Sequence, residues 1–164
     1  MPARVYVGVG SNSNGRQNIQ RGLRALRARF GDLIISPIYE SEPVGLAGQN
    51  FFNLVIGFDT GETCAAIAVD LHEIEAGFGA SCGNGHLSSR ALDLDVLLYG
   101  DLVVDGPDLQ LPRPDVLKYA FVLKPLADVA GDHVHPITGR TYRDLWNTCA
   151  WHGQRLWPVD LETC

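Results

Sequence analysis

The chain has 164 residues, 46% of them hydrophobic, and a formal net charge of -6. That length suits one domain, residues 1–164, with a continuous core, and the acidic balance argues against a sequence-independent grip on nucleic acid, which needs a basic surface. No apolar run reaches the roughly 20 residues of a membrane span, and Met1–Gly10 lacks the apolar core of a signal peptide. A cytoplasmic chain without nucleic-acid or membrane partners is expected. Cys64, Cys82, Cys149 and Cys164 form no CxxC pair, so free thiols in a reducing compartment are expected rather than a disulfide framework.

Val5–Val9 alternates as a first strand and runs into the turn formers Gly10-Ser-Asn-Ser-Asn-Gly15. Ile19, Leu23, Leu26 and Phe30 then recur at helical spacing, with Gly31 as a stop. The arginines of this helix, Arg16, Arg21, Arg24, Arg27 and Arg29, read as a solvated basic face rather than a binding patch. Leu33–Tyr39 is a second strand whose Pro37 marks an edge or an irregularity. The breaker-rich segment 40–50 follows, the kind of loop that borders a site. Phe51–Asp59 is a third strand carrying Asn53 among apolar neighbours. A buried Asn must be hydrogen-bonded, and its amide suits either a planar heterocycle or a structural link to loop backbone.

Cys64–Phe78 is a second amphipathic helix with Thr63 as its cap. Gly79–Ser89, rich in Gly and Ser, reads as a loop and a lid candidate. The order βαββαβ, completed by the strand after that loop, predicts an α+β two-layer sandwich, an antiparallel sheet with helices on one face and a C-terminal extension. The other face is then expected to be free for a ligand. Gly100-Asp101 signals a hairpin into Leu102–Val104. A helical turn is expected around Asp115–Tyr119 and a short helix over Phe121–Ala130. His133 and His135 read as a surface feature, and Trp146, Trp151 and Trp157 as apolar cover.

The stretch Ser-Arg-Ala-Leu-Asp-Leu-Asp-Val-Leu-Leu-Tyr-Gly-Asp-Leu, Ser89–Leu102, is where the chemistry is expected. Strand alternation puts Asp93, Asp95, Leu97 and Tyr99 on one face and Leu92, Leu94, Val96 and Leu98 on the other. Two carboxylates in a sheet need neutralising cations unless the strand is an edge facing water. Magnesium fits them, since it takes one or two carboxylates and leaves positions for substrate phosphates, and Arg90 lies within reach of those phosphates.

Val7-Gly-Val-Gly-Ser-Asn12, Tyr39-Glu-Ser-Glu-Pro-Val-Gly45, Phe52-Asn53, the Arg90–Gly100 run, Pro112-Arg113 and Phe121-Val-Leu-Lys-Pro-Leu126 together resemble the 6-hydroxymethyl-7,8-dihydropterin pyrophosphokinases of folate biosynthesis. Arg-x-Leu-Asp-Leu-Asp is the most specific of these motifs. Gly8-Val-Gly10 alone is weak, because it lacks the third glycine of a dinucleotide loop. The resemblance implies a ferredoxin-like fold and transfer of pyrophosphate from ATP, the co-substrate, to the pterin hydroxymethyl group, with release of AMP. It implies two magnesium ions on Asp93 and Asp95, phosphate contacts from Arg90 and Arg113, and nucleotide contacts near His72 and Glu75. For the pterin it implies Asn53, a stacking Phe121, the backbone around Ser41, Pro43 and Val44, and Leu87 where the family often closes an aromatic over the ring. Ala80 and Cys82 stand where the family's lid usually carries arginines, so a binding homologue with weakened chemistry is the alternative. Outside the family, a two-carboxylate phosphoesterase and a non-enzymatic interaction module remain open. Small-molecule substrates and a monomer are expected, with a homodimer as the alternative assembly.

Overall fold

A computed structural model of the protein describes residues 2–12, 15–42, 50–78, 92–148 and 154–160. Strand β1 (Ala3–Ser11) leads into helix α1 (Gly15–Phe30), and the expected second strand is split into β2 (Ile34–Ile35) and β3 (Ile38–Ser41). The break falls at Ser36-Pro37, because proline has no N–H to give a ladder. Ser36 bridges the gap: its Oγ accepts from Val55 N at 2.8 Å and its own N–H donates to Val55 O at 2.9 Å. Strand β4 (Phe51–Thr60) and helix α2 (Cys64–Ala76) follow. Thr63 caps α2 as its sequence position predicts, accepting from Ala66 N at 3.1 Å, a contact worth about 1 kcal/mol.

Strand β5 (Asp93–Tyr99) carries the acidic pair, and the short strands β6 (Val104–Asp105) and β7 (Gln110–Leu111) come next. The Gly100-Asp101 turn forms, but Val104-Asp105 pairs with Gln110-Leu111, not back onto β5. The expected hairpin does not form: β5 pairs with β1, and the strand after the turn takes β7 as its partner. After a 3-10 turn (Pro114–Leu117) come α3 (Ala120–Ala130), α4 (Tyr142–Thr148) and β8 (Leu156–Val159).

The main sheet has the order β5-β1-β4-β3-β8, with β2 also on β4, and its pairings are antiparallel. On one face, Ile19, Leu23 and Leu26 of α1 and Ile67 and Leu71 of α2 pack against Val5, Val7, Val9, Leu54, Ile56, Leu94 and Val96. The arginines of α1 serve this packing locally: Arg29 pairs with Asp70 of α2, and Arg21 lies 4.6 Å over the Phe78 ring.

The expectation that helices cover a single face is corrected. Leu123, Leu126 and Ala130 of α3 and Tyr142 and Leu145 of α4 pack on Tyr6, Val55, Leu97 and Leu98, which belong to the second face. Large apolar side chains there require a cover, and α3 supplies an apolar stripe at helical spacing. The alternation assigned to β5 is corrected as well. Val7 pairs with Val96 but Tyr6 pairs with Leu98, so Leu97 is an extra residue in the ladder. This bulge sends Leu97 and Leu98 to the second face and Tyr99 to the first. His135 is not a surface feature: it is 2% exposed, and its Nδ1 accepts from Ile137 N and Thr138 N in the turn before α4. Among the described residues no helix is long and apolar enough to cross a membrane.

Candidate active site

Among the described residues the second face is covered only in part. Its register lines up Asp93, Gly10, Asn53 and Tyr39 across four strands, and Asp95, Gly8 and Val55 in the neighbouring row. Directly paired residues share a face, so both carboxylates, Asn53 and Tyr39 lie on the side that α3 covers, with Ser41 and Phe51, the next directly paired row, on that side too. Glycine sits under the middle of this row for a steric reason. A Cβ on Gly10 would stand 2.7 Å from Asn53 Oδ1, and one on Gly8 would touch Leu97 at 3.4 Å. The floor between the acidic pair and Asn53 is therefore bare backbone, two strand spacings or roughly 10 Å wide.

At the acidic end, β5 is an outer strand of the sheet. Arg113 is tied to it twice: its N–H donates to Leu97 O at 3.0 Å, and its Nη2 lies 3.6 Å from Asp95 Oδ1. Its Nε also reaches Asp115 Oδ2 at 3.4 Å. Arg113 is 36% and Asp95 45% exposed, so the pair is worth little to stability and instead keeps a guanidinium beside the carboxylates. From α2, Glu75 Oε2 accepts from Leu94 N at 2.7 Å, between the two Asp residues. Burial pushes the Glu75 carboxyl up, and the negative charges of Asp93 and Asp95 push it further, against the pull of the Leu94 N–H. Three carboxylates thus crowd one strand, a potential that a cation would relieve. Two strand-borne carboxylates with an open side suit a hard divalent ion that keeps waters and accepts phosphate oxygens. Among the described residues no group of three or more His, Cys, Asp or Glu is arranged to hold a metal ion, so the two Asp would need substrate oxygens and water to complete a site.

At the other end stand two buried polar atoms without a hydrogen-bond partner among the described residues, Asn53 Nδ2 and Ser41 Oγ. Both belong to the same face of adjacent strands. Buried polar groups are normally satisfied, so a donor and a hydroxyl left open together are a place for a polar, flat ligand. Phe121, at the start of α3, stacks on Tyr119 with ring centroids 5.0 Å apart. Tyr39 donates its hydroxyl to Asp128 of α3, which also receives Lys124 at 3.0 Å, tying α3 to the sheet. Burial and the neighbouring Asp128 carboxylate push the Tyr39 hydroxyl well above the usual phenol range, so it stays a donor.

The predicted residues divide accordingly. Asp93, Asp95, Arg113 and Glu75 gather on β5, while Asn53 and Ser41 line the second half of the face and Phe121 opens the helix that covers it. His72 is 85% exposed and meets the group only through Glu75, 3.7 Å away. Arg90, Pro43, Val44 and Leu87 lie outside the described residues, as do the lid positions Ala80 and Cys82. Sequence reasoning passed over Phe51, which lies two residues from Asn53 on the same strand face, a signal that strand period alone could have given. It also missed the spacer role of Gly8 and Gly10. An open cleft lined by Arg16, Gln17, Glu40, Asn50 and Phe52 includes the Glu40–Phe52 pair, which points to the opposite face, away from the acidic pair.

A sequence profile described as 7,8-dihydro-6-hydroxymethylpterin-pyrophosphokinase matches residues 6–131. A 2-amino-4-hydroxy-6-hydroxymethyldihydropteridine pyrophosphokinase of Pseudomonas aeruginosa is 37% identical over 163 residues, covering 96% of this chain and 99% of the relative. One from Aquifex aeolicus is 31% identical over 145 residues, covering 87% and 90%. A triple-mutant HPPK-DHPS chain of Plasmodium falciparum superposes with a TM-score of 0.73 at 13% identity, over 90% of this chain and 43% of that longer one. The likeness to that structure establishes the fold; this chain spans less than half of its length.

Proposed function

The chain belongs to the 7,8-dihydro-6-hydroxymethylpterin-pyrophosphokinase family, and from that premise we propose that the glycine-floored face of the sheet is where its reaction takes place. The reaction transfers pyrophosphate from ATP to the hydroxymethyl group of 6-hydroxymethyl-7,8-dihydropterin, a step of folate synthesis, and releases AMP. The single observation that carries the site is the shared face: a carboxylate pair at one end, unsatisfied Asn53 and Ser41 at the other, and bare backbone between.

In this reading Asn53 and Ser41 hydrogen-bond the pterin edge, Phe121 stacks on its ring, and Phe51 lines the same wall. The hydroxymethyl oxygen is thereby aimed across Gly10 toward Asp93 and Asp95. Asp93 and Asp95 would hold magnesium, which when bound neutralises the ATP phosphates and the charge that develops on them. Arg113, already paired with Asp95, presents its guanidinium to the phosphates, and Arg90 supplies a second cation. Glu75 fixes the backbone between the two Asp residues through Leu94, and His72 borders the nucleotide. Pro43, Val44 and Leu87 close the pterin pocket. Most of the acceleration comes from positioning and fixed charge, with no covalent enzyme intermediate. In this reading the core is ferredoxin-like, extended by α3, α4 and β8, and 1–164 is one domain; the sheet order β5-β1-β4-β3 supports the first part. The chain works as a monomer in the cytoplasm, where ATP is supplied.

The test is AMP release from magnesium-ATP with and without 6-hydroxymethyl-7,8-dihydropterin, beside an Asp93→Ala variant. Pterin-dependent AMP that falls by about a thousandfold or more in the variant is expected. AMP release that ignores the pterin, or survives Asp93→Ala, overturns the reading.

A further inference from the structure

Helix α3 begins with a defect that its own sequence does not repair. Its capping residue is Tyr119, whose side chain makes no capping hydrogen bond, yet the first helical N–H, on the fully buried Ala120, must find an acceptor. The acceptor comes from 34 residues further along the chain: Gln154 Oε1 lies 2.7 Å from Ala120 N. The same amide donates from Nε2 to Lys118 O at 3.1 Å. One side chain therefore clasps the backbone on both sides of Tyr119, immediately before Phe121. Two residues beyond Gln154 the chain enters β8, which pairs Leu156 with Ser41 and Pro158 with Tyr39, while Trp157 Nε1 donates to Glu40 Oε1 at 3.2 Å.

This segment thus joins the helix start that presents Phe121 to the strand that presents Ser41. We propose that Gln154 is a positioning residue for the pterin, acting through Phe121 by fixing the start of α3 against the β3 wall. The inference rests on the functional reading above, in which Phe121 and Ser41 face the pterin and ATP lies at the acidic end. Gln154 touches neither substrate. Its loss frees the Tyr119-Ala120 backbone, lets the Phe121 ring wander, and leaves β5 and its carboxylates unchanged.

Steady-state kinetics of Gln154→Ala, Gln154→Glu and Phe121→Ala, together with the Gln154→Ala/Phe121→Ala double variant, test this. Gln154→Ala raises the KM for the pterin by about tenfold and leaves the KM for ATP within about twofold of wild type. Gln154→Glu, which keeps an acceptor for Ala120 N, recovers much of the loss. In the Phe121→Ala background Gln154→Ala has little further effect, because residues acting through one another are non-additive. An unchanged pterin KM in Gln154→Ala, a parallel rise in both KM values with a lowered Tm, or full additivity in the double variant overturns the assignment. Wild-type protein without pterin-dependent AMP would instead overturn the functional reading, and the assignment with it.

Discussion

The two faces of the central sheet are built from the same strands by opposite rules. On the first, α1 and α2 set Ile19, Leu23, Leu26, Ile67 and Leu71 against Val5, Val7, Val9, Ile56 and Val96 as one continuous apolar layer. On the second, α3 and α4 seal the half around Tyr6, Val55 and Leu97, and the rest keeps two carboxylates, a glycine floor and an amide and a hydroxyl without partners among the described residues. The first face holds the strands in register, so the second is free to carry groups that would destabilise a fold resting on them alone. Stability and chemistry are divided between opposite sides of one layer only a few ångströms thick.

That division can be broken from either side. Ile67→Ala on α2, fully buried in the first face, should cost about 2–5 kcal/mol of unfolding free energy while leaving the pterin KM unchanged at a temperature where the variant is folded. Chemical denaturation beside steady-state kinetics checks both halves. Gly10→Ala should do the reverse. Its Cβ would meet Asn53 Oδ1 at 2.7 Å and push that amide out of line. A rise of about tenfold in pterin KM is expected, since a misplaced hydrogen bond costs 1–2 kcal/mol, with Tm altered much less.

The smallest effect concerns the cover over the second face. Burial lowers the pKa of His135 below its ordinary 6.5, and its Nδ1 is an acceptor for two backbone N–H groups. The unfolded chain then binds the proton more readily than the folded one, so stability is full above about 6.5 and is lost as pH falls toward the depressed folded value. A His135→Gln variant should flatten that acid limb of a stability-versus-pH curve. An unchanged limb would assign it to other groups.

Sequence periodicity made the first face legible and stopped short of the second. Helical spacing of Ile19, Leu23 and Leu26, strand alternation in Val5–Val9 and the Thr63 cap are local signals, and each reappears in place. The shared face of Asp93 and Asp95 was legible from strand alternation, and two Asp in an apolar strand conflict with burial and so mark a candidate site. The bulge at Leu97 was not, since an extra residue is defined by the partner strand and leaves the sequence of β5 unaltered. The cover by α3 was missed because a stripe such as Leu123, Leu126 and Ala130 states that something is buried without stating against what. Gln154 and Ala120 illustrate the limit most plainly: their bond spans 34 residues and follows no periodicity.

Strand β5 ends the sheet, and a terminal strand offers its outward amides to any extended peptide that drifts past, including another copy of the same chain. Glu75 takes the Leu94 amide out of circulation, and Asp93 and Asp95 charge the backbone on either side of it. An incoming strand would have to displace an existing hydrogen bond and lie against three negative groups. The acidity proposed to hold the metal of a triphosphate would at the same border disfavour β-polymerisation.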